Sequence, residues 1–266
     1  MNSRLQEADR RWEERIERAH ALQQQPWAYV DGLRLYEASL KFQRDVAQAW
    51  TSTFDPARPL RKQIDIAIAC SRMPGILDVA VQHGPEKLRV RAKALHNQGE
   101  LAWQTLFRAA VDANGTHGGI DDYFVRACLQ PLAENLQSQI VPDQNYNQST
   151  CPACGGPPQL AVLRPEGEGA SRFLSCSFCL REWLFRRIVC PSCGEEDKEK
   201  LPRYSTEQCR SIHVEACDTC KHYQKAVDMS IDGRAVPLVD EVASAVLDVW
   251  ATEHGYAKIF PNLIGF

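Results

Sequence analysis

Four short stretches decide the fold of the C-terminal half: Cys151-Pro152-Ala153-Cys154-Gly155, Cys176-Ser177-Phe178-Cys179, Cys190-Pro191-Ser192-Cys193-Gly194 and Cys217-Asp218-Thr219-Cys220. Each carries two cysteines separated by two residues. That insert lets the backbone turn tightly, so both sulfurs can approach one ion at about 2.3 Å. Glycine after the second cysteine, at Gly155 and Gly194, permits the positive φ such a turn favours. Pro152 and Pro191 fix the entry to their turns. One pair supplies only two ligands, so the pairs must combine. Taken in order they give Cys151, Cys154, Cys176 and Cys179, with 21 residues between the inner cysteines. They then give Cys190, Cys193, Cys217 and Cys220, with 23 between them. Crossed pairing loses this regularity. The chain has 11 cysteines, and at that content random placement yields only about half of one such pair. The spacing therefore predicts two metal ions, each under four thiolates, in a duplicated ribbon-like or rubredoxin-like module.

Working outward, residues 1–140 read as a helical domain. Arg4 to Gln25 is rich in Glu, Arg, Ala and Gln, with Glu14 four residues before Arg18, and Pro26 ends it. Leu33, Tyr36, Leu40, Ala47 and Trp50 share one helical face. Asp55-Pro56 and Arg58-Pro59 form a break before Ile64, Ile66 and Ile68. From Leu101 to Val111 apolar residues go all round the helix, which predicts burial in the middle of a bundle. Asn114-Gly115 and Gly118-Gly119 punctuate its end, Asp121 or Asp122 can cap the next helix, and Pro131 is expected to kink or restart it. Residues 141–150 read as a linker. Residues 151–185 and 186–230 read as the first and second four-cysteine metal modules. Residues 231–266 hold one closing helix, about Asp240 to Glu253, carrying Val242, Val246, Leu247 and Trp250, and a tail. The expected class is α+β.

The bulk numbers exclude several functions. Net charge is -3 over 266 residues, and no stretch approaches the roughly 18–20 apolar residues that span a bilayer, so no membrane insertion is expected. The N-terminal stretch is charged throughout and cannot act as a secretory signal. A cytoplasmic location follows as an expectation, and there thiols stay reduced and free for metals rather than forming disulfides. Thioredoxin-type chemistry needs one Cys-x-x-Cys opening a helix, not four in series. From Cys151 to His222 there are ten Lys or Arg and ten Asp or Glu, a balance unsuited to a zinc-ribbon nucleic-acid-binding protein, the main alternative function. No phosphate loop, serine elbow or His-Glu-x-x-His is present, and His83, His96 and His117 stand singly. With every metal position filled by protein, no site is left for a water or substrate. No catalytic residues, and no enzyme, are expected.

Four thiolates accept zinc or iron alike. His213 and His222 lie near the fourth pair and are read as surface or neighbouring groups rather than ligands. Cys70 and Cys128 are read as core residues, Cys209 as either a buried small apolar residue or a reactive thiol, and Phe178, Trp183 and Phe185 as a small core shielding the sulfurs.

The residues between the cysteines carry a resemblance. Arg172-Phe173-Leu174-Ser175-Cys176-Ser177-Phe178-Cys179-Leu180-Arg181-Glu182-Trp183 is followed by Arg187-Ile188-Val189-Cys190 and by Cys217 through Lys225. Then come Asp240-Glu241-Val242-Ala243, Leu247-Asp248 and Glu253-His254-Gly255-Tyr256. This series resembles the FdhE family, accessory proteins of formate dehydrogenase. The resemblance spans residues 151 to about 256; before that it rests on helical character and length. It implies a helical N-terminal domain, rubredoxin-like modules holding two iron ions, and a maturation factor or chaperone. The implied partner is the molybdenum-containing catalytic subunit of respiratory formate dehydrogenase, bound before export by the twin-arginine route. The eight paired cysteines carry over as metal ligands. Whether the chain forms a homodimer is left open.

Overall fold

The fold is taken from a computed structural model that describes residues 3–50, 52–112, 119–141, 143 and 145–266. Six helices build the N-terminal half: α1 (Ser3–Leu22), α2 (Val30–Ala49), α3 (Ile66–His83), α4 (Glu86–Gln98), α5 (Glu100–Asp112) and α6 (Ile120–Gln137). In α1, Trp12, Ile16, Ala19 and Leu22 recur at helical spacing and are buried. In α2, Leu33, Tyr36 and Leu40 do the same, as their pattern predicts.

The centre of the bundle is α6, not α5. Leu101 is 79% exposed, and only Phe107, Ala110 and Val111 of α5 are buried. In α6, Phe124, Leu129, Leu132 and Leu136 are wholly buried, each burial stabilising by about 1.5–3 kcal/mol. Pro131 does not interrupt this helix, which runs from Ile120 to Gln137. Proline offers no N–H to the Ala127 carbonyl one turn back; the buried Gln43 of α2 donates to it instead, Nε2 to O at 3.2 Å. The N-cap of α6 is Gly119, without a side-chain bond, and Asp121 pairs with Arg91 of α4. Asn114-Gly115 and Gly118 lie outside the described residues. Glu14 pairs with Arg10 rather than Arg18, because Arg18 reaches across to Asp240 and Asp232.

The described residues between 141 and 157 form no helix or strand. They are nonetheless tied down, since the Trp183 indole N–H donates to the Gln148 carbonyl at 3.0 Å. Beyond them come β1 (Pro158–Glu166), β2 (Gly169–Cys176), β3 (Glu182–Leu184), β4 (Arg203–Ser205), β5 (Ile212–Ala216), β6 (His222–Asp228) and β7 (Ala257–Lys258). The two cysteine modules share one sheet. β1, β2 and β3 form an antiparallel ribbon, β4, β5 and β6 form a second, and β1 joins β6 in parallel from Leu160↔Lys225 to Leu163↔Asp228. β7 adds to β6 at His222 and Tyr223.

β1 is therefore buried on both faces. Ala161 joins the core shared with the helical half, whereas Leu160 and Val162 join a second core on the opposite face. The expected closing helix is two helices, α7 (Pro237–Ala243) and α8 (Ala245–Glu253), broken at Ser244 with φ -91° and ψ 34°. The break sends Val239, Val242 and Ala243 to the first core and Leu247 and Ala251 to the second. Val246, expected on the inner face, is 48% exposed for the same reason.

Candidate metal centres

At each of the four cysteine knuckles the residue after the second cysteine has a left-handed backbone: Gly155 (φ 72°), Leu180 (φ 59°), Gly194 (φ 80°) and Lys221 (φ 57°). Three of these residues donate their N–H back to the first cysteine's carbonyl, at 2.9 Å for Gly155, 2.9 Å for Gly194 and 2.8 Å for Lys221. This closes the turn and brings the two sulfurs of each pair to one side. Backbone N–H groups inside the turn then point at sulfur, as Phe178 N does at Cys176 Sγ, 3.3 Å away. A Cβ on Gly155 or Gly194 meets nothing within 4 Å, so the backbone alone sets the cost of a side chain there. Gly155→Ala and Gly194→Ala should each destabilise by about 1–2 kcal/mol, read from the denaturant midpoint of the metal-loaded chain; an unchanged midpoint would show that the positive φ is not required.

The sulfurs gather in two groups of four, Cys151, Cys154, Cys176 and Cys179, and Cys190, Cys193, Cys217 and Cys220, each group lying within 4.8 Å. Across knuckles, Cys151 Sγ is 3.5 Å from Cys179 Sγ and Cys154 Sγ is 3.4 Å from Cys176 Sγ. In the second group, Cys190–Cys220 and Cys193–Cys217 are both 3.7 Å apart. Sulfurs bonded at about 2.3 Å to one tetrahedral ion stand about 3.8 Å apart. Both groups have the right donors at nearly that separation, so each can hold a metal ion. Neither group includes a histidine: His213 is buried beside Glu215 Oε1 at 3.6 Å, and His222 Nδ1 lies 3.0 Å from the Cys220 carbonyl. Cys70, Cys128 and Cys209 are buried apart from both groups, where burial pushes their thiols up and keeps them unreactive.

The two groups sit in different surroundings. In the first, Cys176 and Cys179 are wholly buried and Cys151 is 2% exposed, with Phe178, Trp183 and Phe185 packed around them. The helical half clamps these knuckles: Arg126 and Gln130 of α6 both donate to the Ser177 carbonyl, and Arg61 donates to the Cys154 carbonyl. Arg126 is buried beneath the Phe260 ring, and burial pulls its guanidinium down to about 10. In the second group Cys193 is exposed and Cys220 is half-buried. A cleft of about 390 Å³ lies beside it, lined by Arg172, Arg187, Lys198, Arg203, His222 and Ile259 among others.

The frame around both groups is held by buried charges that sequence reading did not single out as functional. Arg172 of β2 crosses to Glu215 of β5, Nη2 to Oε2 at 2.7 Å, tying one ribbon to the other. Lys225 of β6 is fully buried and pairs with Glu241 at 3.1 Å and Asp248 at 2.5 Å. A lysine flanked by Tyr223 and Val227 in a strand, followed by paired acids in the closing helices, was the available signal.

A family model described as the FdhE central domain matches residues 150–187, and one described as the FdhE C-terminal domain matches residues 188–264. The chain belongs to the FdhE family. It is 28% identical over 193 residues to the FdhE homolog of Aquifex aeolicus, covering 72% of this chain and 68% of that protein. With the FdhE homolog of Pseudomonas aeruginosa it shares 36% identity over 128 residues, covering 46% of this chain and 41% of the relative. The aligned sequence thus spans less than half of that longer relative. The crystal structure of the FdhE protein from Pseudomonas aeruginosa superposes with a TM-score of 0.66 at 25% identity, covering 97% of this chain and 95% of that one. The FdhE-type fold therefore extends through the helical half, and the Aquifex aeolicus alignment, longer than the 116 residues from Cys151 to Phe266, reaches into that half as well.

Proposed function

We propose that this chain is a maturation factor for respiratory formate dehydrogenase: in the cytoplasm it binds the enzyme's catalytic subunit and supports its assembly or activation. The eight paired cysteines hold two metal ions in this reading, and the metal is iron. The observation that carries it is the pair of closed four-sulfur groups within an FdhE-type fold. Closed sites leave no position for substrate, which favours a binding and electron-handling role over hydrolytic chemistry. No described helix is long and apolar enough to cross a membrane, which agrees with a factor acting on its partner before export.

Tagged protein prepared without oxygen from cells respiring formate tests both parts. The expected result is co-recovery of the formate dehydrogenase catalytic subunit, two equivalents of iron, and, on mild oxidation with ferricyanide, the red colour of ferric tetrathiolate. Failure to recover that subunit overturns the accessory reading. A colourless zinc protein that still recovers it overturns iron alone.

A further inference from the structure

The environments of the two four-sulfur groups differ most at one side chain. Arg61 is 6% exposed, in a short turn (Leu60–Gln63) of the helical half. Its Nε donates to the Cys154 carbonyl at 3.2 Å and its Nη1 to the Ala110 carbonyl at 3.0 Å, while Phe178 lies 3.8 Å beneath the guanidinium carbon. Nη2 is buried and hydrogen-bonds no atom of the described residues, the cysteine sulfurs included. A Cβ placed on Gly156 would stand 3.1 Å from that nitrogen and 3.3 Å from both Cys154 Sγ and Cys176 Sγ. The orphan donor and two sulfurs therefore surround one point, which only a glycine leaves open. No carboxylate pairs with Arg61 among the described residues. A buried cationic donor left unsatisfied is costly. Four thiolates around a divalent ion carry a net charge of about -2, and that anion supplies what the arginine lacks.

The second group has the same knuckle turns and backbone donors but no such cation. Among the described residues no guanidinium bonds the backbone of its four cysteines, and the charged neighbours in its knuckles include the acids Glu195 and Asp218. Cys193 is open to solvent.

We infer that Arg61 locks the first centre once its thiolates hold an ion, Nη2 then turning to donate to them, so that the first ion is retained while the second is exchangeable. This rests on the metal reading above. Partners of this kind outside the ligand set change metal affinity by about 10- to 100-fold.

The test uses the full chain loaded with two equivalents of cobalt(II), then challenged with excess chelator while the sulfur-to-cobalt absorption is followed. The wild type should release one equivalent quickly and the other at least about tenfold more slowly. Cys193→Ser should remove the fast phase and keep the slow one. Arg61→Gln should accelerate the slow phase by about 10- to 100-fold and move its charge-transfer band to longer wavelength, because the thiolates lose a hydrogen bond. Arg61→Lys, which keeps the charge but not the fork, should fall between and serves if Arg61→Gln does not fold. Equal release of both ions, or an unchanged slow phase and band in both Arg61 variants, would overturn the inference. Failure of the reduced wild-type chain to bind cobalt at all would instead overturn the metal reading.

Discussion

Replacing Lys225 with methionine is expected to destabilise the folded chain by about 3–5 kcal/mol. The ammonium sits at zero exposure between α7 and α8, where it bonds the Glu241 carbonyl, Ser244 Oγ at 3.2 Å and Asp248 Oδ2 at 2.5 Å. It is held together with Lys258, whose ammonium reaches Asp248 Oδ1 at 2.8 Å and also Glu241. Two cations thus balance two carboxylates that are 1% and 3% exposed. Methionine fills the volume but leaves one carboxylate buried without a counter-charge. It also strips the donor from the carbonyls freed where the closing helix breaks at Ser244. Adding Asp248→Asn should recover part of the loss, because it removes the orphaned charge; an additive double mutant would show that the two groups are not coupled.

The same network sets the pH limits of that stability. Burial opposes ionisation of Asp248, but Lys225 and Lys258 outweigh it and hold the carboxyl below its ordinary value of 3.8. Its contribution is present above that pH and is lost as pH falls through the depressed value. Burial likewise opposes the charge on Lys258, but Glu241 and Asp248 outweigh it and raise the ammonium above 10.5. That contribution is present below 10.5 and is lost as pH rises through the raised value.

The second large effect is expected at Cys176→Ser. Cys176 is wholly buried at the end of β2, and Phe178, Trp183 and Phe185 beside it belong to the core shared with the helices. A structural ion held by four thiolates contributes an apparent 10–16 kcal/mol or so, comparable to the roughly 5–15 kcal/mol that separates a folded domain from its unfolded chain. A serine oxygen is a poor substitute for a soft thiolate. The variant should therefore bind one ion instead of two and unfold at least about 10 °C lower, or fail to accumulate as soluble protein. Cys193→Ser should also lose one ion, with a smaller shift, because its knuckle packs against less of the molecule. Metal analysis with thermal unfolding decides; two ions and an unchanged midpoint in Cys176→Ser would remove it from the ligand set.

The sulfur groups were legible in the sequence because a Cys-x-x-Cys turn is local: spacing, proline and glycine are all within five residues. The left-handed positions at Leu180 and Lys221 were not, since neither residue advertises a positive φ. The helical half was legible as helices, but their order of burial was not. α5 has apolar residues all round yet lies at the side, and α6 takes the centre while carrying Arg126, Gln130 and Glu134 among its buried residues. Those polar groups make sense only through distant partners, such as Arg15 for Glu134 at 2.7 Å. The break at Ser244 was hidden for the same reason, because the lysine that donates to the carbonyls there lies on a separate strand.

The parallel pairing of β1 with β6 also orders events in time. On the ribosome β1 and β2 can form a hairpin early, but the partner for β1's other edge emerges only after the 55 residues numbered 167 to 221. Until then a strand destined for burial on both faces presents an open hydrogen-bonding edge, a template for pairing with other nascent chains. The first four sulfurs are complete by Cys179, so an ion captured there would fasten the hairpin during that interval and shorten the time the growing chain spends vulnerable.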